Sequence, residues 1–123
     1  MEWQFRGDVP IYTQLCEQLT LAIVAGAFSP GERLPTVREM AVDAGVNPNT
    51  MQRALSELER SGLVYTQRTA GRYVTESVER IEAERQRIAE TRAREFLAAM
   101  EKLGYDHAGT VDLLEQMRGE WMQ

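Results

Sequence analysis

The chain has 123 residues, 43% of them hydrophobic and 27% charged, with a formal net charge of −5. That length allows one compact core with an appendage and excludes two full domains. No apolar run is long enough to span a membrane, Trp3, Arg6 and Asp8 interrupt any secretory core, and the single Cys16 excludes an internal disulfide or a cysteine-rich zinc site, so the expected location is the cytoplasm.

Residues 1–10 read as an irregular lead-in ended by Pro10, which suits a first helical turn. Ile11, Leu15, Leu19, Ala22 and Ile23 then recur at helical spacing, and Gly26 is a natural stop. Cys16 falls in this pattern and reads as a small buried hydrophobe. Pro30-Gly31 marks a turn. Leu34-Pro35 is too short for a strand but could bridge to a sheet edge, where proline is tolerated.

Thr36-Val37-Arg38-Glu39 fits a capping box, with the Thr36 hydroxyl covering an orphan amide and Glu39 reaching back. Val37, Met40, Ala41 and Ala44 make a narrow apolar stripe closed by Gly45. Asn47 is a favoured cap, and Pro48 both forces it out of helical geometry and starts the next helix. Met51, Ala54, Leu55 and Leu58 give the i, i+3, i+4, i+7 spacing of a buried face. Asn49, Thr50, Gln52, Arg53 and Ser56 are left outside, and side chains of this kind hydrogen-bond base edges and phosphates.

Gly62 ends that helix. Two β-rich runs, 63–67 and 72–75, flank the loop Arg68-Thr69-Ala70-Gly71, with Arg68 and Arg72 beside its tip. Two short helices joined by a tight turn and followed by a two-stranded wing place one helix in the major groove of DNA. The charge balance fits a locally basic face on an acidic body. Residues 1–75 carry seven arginines against eight acidic residues, and residues 76–123 carry seven basic against eleven acidic.

Past Thr75 the sequence changes. From about Val78 to Leu103 there is no Pro or Gly, and Glu and Arg alternate. Gly104-Tyr105 breaks the run, and Asp106 can cap a last helix. Ile88, Phe96, Met100, Leu103, Val111, Leu114, Met117 and Trp121 are the expected dimerisation residues, because so small an N-terminal unit cannot cover them all. A ligand pocket near Phe96, Met100 and Trp121, taking an unidentified small-molecule effector, is the weaker reading of the same residues. His107 stands alone and reads as a surface residue. No metal spacing, phosphate-binding glycine loop or nucleophile with a base appears, so the expectation is no metal, no cofactor and no catalytic residue.

The run PIYTQLCEQLTLAIVAGAFSPGERLPTVREMAVDAGVNPNTMQRALSELERSGLVYTQRTAGRYV, about half the chain, closely resembles the winged-helix domain of the GntR transcriptional regulators. The Pro48-Asn49-Thr50 turn and the short helical tail resemble the YtrA subfamily. The resemblance implies a homodimer assembled through the C-terminal helices, binding double-stranded DNA at an inverted-repeat operator, most often as a repressor. It places Arg38 among the DNA contacts of the second helix, Asn49, Thr50, Gln52 and Arg53 on the recognition face, and Gly71 at the second wing glycine. Thr36, Asn47, Arg68 and Arg72 complete the expected DNA-binding set. The chain departs from the family pattern at Pro48, where many members have an arginine, at Thr69, the usual first wing glycine, and at Arg72, usually a small residue. The expected architecture is therefore mostly α with a small β-wing: a winged helix-turn-helix over 1–75 and a two-helix dimerisation tail over 76–123. The acidic balance supports one rival, a winged-helix module for protein–protein assembly with no DNA partner.

Overall fold

In the computed structural model, which describes residues 1–121, six helices and one hairpin follow in the order α1 (Ile11–Val24), α2 (Val37–Ala44), α3 (Pro48–Ser61), β1 (Val64–Gln67), β2 (Gly71–Val74), α4 (Val78–Lys102), α5 (His107–Gln116) and α6 (Arg118–Trp121). The last two residues of the expected tail, 122–123, lie outside the described residues. The chain forms two compact units, Met1–Glu84 and Arg85–Gln123. Their division falls inside α4 and not at the end of the wing, for a local reason. Ile81 is buried, and the Arg80 guanidinium donates to the Ser61 carbonyl at 2.9 Å and reaches Glu84 at 3.1 Å, so the first turns of α4 pack with the winged unit.

The first unit is built on α3, against which α1, α2 and β1 pack. Leu15, Leu19 and Ile23 of α1, Met40 and Ala41 of α2, and Met51, Ala54, Leu55 and Leu58 of α3 close the core, with Leu34, Leu63, Val64 and Val74 sealing its wing side. These are the stripes that helical spacing picks out. Fully burying side chains of this size contributes about 1.5–3 kcal/mol each, which outweighs the ordinary propensities of short helices. The α2–α3 turn is fixed by its caps. Gly45 takes φ +70° at the end of α2, a left-handed conformation that costs a residue with a Cβ, and Asn47 opens α3 immediately afterwards.

The two strands pair antiparallel with Val64 opposite Val74, Tyr65 opposite Tyr73, Thr66 opposite Arg72 and Gln67 opposite Gly71. Gly71, expected in the loop, belongs to the second strand at φ +96°. The expected bridge to the sheet edge is present one residue earlier than Leu34-Pro35, at Arg33 opposite Tyr73, flanked by the hydrogen bonds Leu34 N–H to Arg72 O and Val74 N–H to Glu32 O, both 2.9 Å.

Residues 1–10 are irregular as expected, but they are tied down. Gln14, only 4% exposed, accepts from Arg6 N–H at 2.7 Å and donates to the carbonyls of Arg6 and Val9, while Gln18 pairs in both directions with the Gln4 backbone. The Trp3 indole donates to Asp43 on α2 at 2.8 Å. Two glutamine amides thus do for this arm what a strand partner would do.

In the second unit, the single last helix expected from sequence is two. After α5 the bonding tightens at Met117, whose carbonyl accepts from Glu120 N–H at 3.0 Å, and the short α6 follows around Gly119. Asp106 caps α5 as expected, accepting from Gly109 N–H at 2.8 Å. No helix among the described residues is long and apolar enough to cross a membrane.

Candidate nucleic-acid interface

The outward face of α3 is defined by what its inward face does. Met51, Ala54, Leu55 and Leu58 are at most 3% exposed, so the helix cannot rotate without opening the core, and Asn49, Gln52, Arg53 and Ser56 are held in solvent. Thr50 is half-buried at the same end. The Asn47 side chain accepts from Asn49 N–H at 2.8 Å, and Gln52 bridges to Ser56 at 3.4 Å. Pro48, with no N–H to leave unsatisfied, occupies the first position.

On α2 the capping box is complete. The Thr36 hydroxyl accepts from Glu39 N–H at 3.1 Å, and Thr36 N–H donates to the Glu39 carboxylate at 3.2 Å. The bonds from Thr36 hold the Glu39 carboxyl below its ordinary value. The side chains of Thr36 and Asn47 are therefore committed first to the helix ends, and anything they offer a ligand comes through the amides they organise. Arg38 is exposed in the first turn of α2 and forms no ion pair among the described residues.

The arginines that the sequence groups around the recognition helix separate in space into distinct settings. Arg53 lies over the Tyr12 ring of α1, 3.6 Å from its centroid. A cation held on a ring in this way gains about 0.5–1 kcal/mol at an exposed site and loses some of its rotamer freedom. Arg60 pairs with Glu57 along the helix surface at 3.1 Å. Arg68 stands exposed at the wing tip, without an ion pair among the described residues.

Arg72 is one residue into β2, with its side chain 18% exposed, and its guanidinium meets Glu59 of α3. The same Glu59 oxygen accepts from the Thr66 hydroxyl at 2.6 Å. Burial raises the pKa of that carboxyl, but the bonds from Thr66 and Arg72 and the charge of Arg72 outweigh it, leaving the value below the ordinary one. Arg72, expected beside Arg68 among the DNA contacts at the wing, is thus ion-paired within the fold. Gly71 abuts Arg33, since a Cβ there would lie 3.4 Å from the Arg33 guanidinium, and Arg33 was not among the expected residues.

Cys16 is half-buried and its thiol donates to the Ala54 carbonyl of α3 at 3.3 Å. Burial and the nearby Glu57 and Glu17 push its pKa up, which keeps it a thiol and a packing residue. No group of three or more His, Cys, Asp and Glu side chains able to hold a metal occurs among the described residues. In the second unit Ile88 and Met100 are half-buried, whereas Phe96, Leu103, Val111, Leu114, Met117 and Trp121 are exposed, Trp121 by 88%.

What sequence reasoning missed are the partners: Tyr12 for Arg53, Glu59 for both Thr66 and Arg72, and Arg33 against Gly71. Each is separated in sequence from the residue it meets, and only the spacing of Glu59 from the buried Leu55 and Leu58 hinted at which way it points.

Comparison with known proteins places this geometry. The family model described as "Bacterial regulatory proteins, gntR family" matches residues 11–74. The uncharacterized HTH-type transcriptional regulator YhcF of Bacillus subtilis is 38% identical over 104 residues, covering 85% of this chain and 86% of that protein. The HTH-type transcriptional repressor YtrA of the same organism is 42% identical over 72 residues, covering 58% of this chain and 55% of YtrA. Among solved structures, a GntR family transcriptional regulator from Listeria monocytogenes superimposes with a TM-score of 0.85 at 37% identity, over 91% of this chain and 98% of that one. The DNA-binding domain of AraR, solved in complex with operator ORX1, matches 61% of this chain and 96% of its own with a TM-score of 0.56 at 29% identity.

Proposed function

Because the chain belongs to the GntR family of bacterial regulatory proteins, in its YtrA-like branch, we propose that it is a sequence-specific DNA-binding regulator of transcription that represses from an inverted-repeat operator as a homodimer, acting in the cytoplasm. Its family and relatives regulate transcription and are not enzymes. Residues 1–75 would bind DNA, and residues 76–123 would join two copies through Ile88, Phe96, Met100, Leu103, Val111, Leu114, Met117 and Trp121.

One observation carries the reading. The recognition helix is anchored by a face that is at most 3% exposed, and its opposite face offers amides and a cation in a fixed orientation. In the groove, Asn49, Thr50 and Gln52 would read base edges and Arg53 a base or phosphate. Arg38 and the capped starts of α2 and α3, at Thr36 and Asn47, would meet the backbone, where helix N-termini favour phosphate. Arg68 in the turn and Gly71 at the start of β2 would reach the flanking backbone or minor groove. A two-fold axis would set the half-sites about 10 bp apart, or a multiple of that. Operator binding by AraR, a relative of the same fold, supports this assignment.

The test is a band-shift titration against DNA from upstream of the chain's own gene, with footprinting to give half-site spacing. Arg53→Ala and Arg68→Ala should each weaken binding without lowering thermal stability. Each lost phosphate contact should flatten the fall of log affinity with log salt by about 0.9. Unchanged affinity in both variants, or binding indifferent to salt, would return the chain to the assembly-module reading.

A further inference from the structure

Two side chains of the wing, Thr66 and Arg72, are fastened to the recognition helix through one carboxylate. Thr66 and Arg72 are cross-strand partners, so their side chains leave the hairpin on the same side, and both donate to the same oxygen of Glu59. Glu59 belongs to α3, the helix whose first half carries Asn49, Gln52 and Arg53. A two-stranded hairpin is marginal by itself and takes its orientation from what it packs on. Here the root is held by burial, since Val64 and Val74 are at most 2% exposed. Two pairs further out, Leu34 N–H holds the Arg72 backbone at its carbonyl, and the Glu59 contacts hold the Thr66 and Arg72 side chains against α3. Only the Gln67–Gly71 pair and the turn lie beyond them.

The ionic part of this fastening is the pair of the Arg72 guanidinium with Glu59. Its position also explains an otherwise unfavourable feature. A carboxylate beside a DNA-reading helix repels phosphate, and simple electrostatics would favour its removal.

We propose that Glu59 is a positioning residue for DNA binding: with Thr66 and Arg72 it locks the wing to the recognition helix, so that Arg68 and α3 meet the duplex as one rigid surface. Arg72 then serves the wing and not the phosphates. The proposal rests on the DNA-binding reading above, and it reverses the sign expected of a nearby negative charge. Removing Glu59 weakens operator binding even though the protein becomes less acidic.

The experiment uses the full chain, fluorescence anisotropy with a labelled duplex from upstream of its gene and a scrambled duplex, and the variants Glu59→Ala, Arg72→Ala, Thr66→Val and Arg68→Ala. Glu59→Ala and Arg72→Ala should each weaken operator binding by about three- to tenfold, the scale of a lost hydrogen bond, and Thr66→Val, which changes no charge, by less. Arg72→Ala should keep the wild-type salt slope, whereas Arg68→Ala should lower it by about one. In the Arg68→Ala background, Glu59→Ala should cost nothing further, because the residue it positions is gone. Without DNA, amide hydrogen exchange over 66–72 should quicken in Glu59→Ala and Thr66→Val while the α3 amides stay protected.

Tighter binding by Glu59→Ala, a salt slope lowered by Arg72→Ala, or unchanged exchange in the wing would each overturn the proposal while leaving the DNA-binding reading intact. A wild-type chain that does not prefer the operator duplex over the scrambled one would overturn both.

Discussion

The winged unit and the tail use their apolar residues in opposite ways. In Met1–Glu84 every helix with a stripe buries it: α1, α2 and α3 together close a core whose central leucines have no exposure. In Arg85–Gln123 the large side chains Phe96, Leu103, Val111, Leu114, Met117 and Trp121 remain exposed, and Thr110 is the buried residue of α5. Yet the tail helices are as regular as the others. The run without Pro or Gly, side-chain bonds such as Gln86 to Glu90 at 3.1 Å, and the Asp106 cap sustain them locally. The lesson is that the first unit is stabilised by its interior and the second by its sequence. The exposed apolar side chains of the second are those proposed above to meet another copy of the chain.

The largest effect should come from opening that interior. Leu55→Ala should cost about 2–5 kcal/mol in urea unfolding, because Leu55 lies fully inside and the site cannot collapse without moving α1 or α3. Leu114→Ala, at a position 49% exposed, should leave the same transition within about 0.5 kcal/mol in protein dilute enough to be monomeric. Equal costs for the two would erase the distinction between the units.

A second change attacks the tail. Phe96→Asp combined with Leu114→Asp places two charges on the face proposed to be covered by the partner, and desolvating them there is costly. Sedimentation should show dimer dissociation at least about tenfold weaker, with the helical circular dichroism of the chain preserved. A dimer of unchanged strength would move the interface elsewhere. Deleting residues 105–123 should also raise the monomer fraction, by an amount that reports the share of the interface lying in α5 and α6.

How much of this was legible in the sequence follows the same division. Caps, left-handed glycines and the α3 stripe are signals within a few residues, so the turn between α2 and α3 and the outward side of Asn49 to Ser56 could be read directly. The wing strands were legible too, within a residue. What escaped were pairings across distance: Trp3 with Asp43, Gln14 with the arm, Tyr12 beneath Arg53, and Glu59 with Arg72. Charge counts treat Arg53, Arg60, Arg68 and Arg72 as one basic patch. In the fold, an aromatic ring and two carboxylates divide it, and Arg68 is the member without such a partner among the described residues. The split at Met117 was missed because helical spacing continues through it while Gly119 weakens the backbone.

The smallest predicted effect sharpens the comparison within the winged unit. Burial raises the Glu59 pKa, but the bonds from Thr66 and Arg72 and the Arg72 charge overcome it, so the folded value lies below the ordinary 4.5. Folding therefore favours the ionised carboxylate. Its contribution is complete above about 4.5 and is lost as the pH falls through the lower, folded value. Glu59→Gln keeps an acceptor for both donors and removes only the charge. The wild-type chain should be more stable than Glu59→Gln near neutrality, by less than about 1 kcal/mol given that the side chain is 32% exposed, and the gap should close in acid. The Glu39 carboxyl, also lowered, titrates in a similar window, so the wild-type profile alone would mix the two groups. Because Glu39 is present in both proteins, its titration cancels in the difference between their unfolding curves. A gap that persisted below the folded value would mean that the wing is held by the shape of the Glu59 side chain and not by its charge.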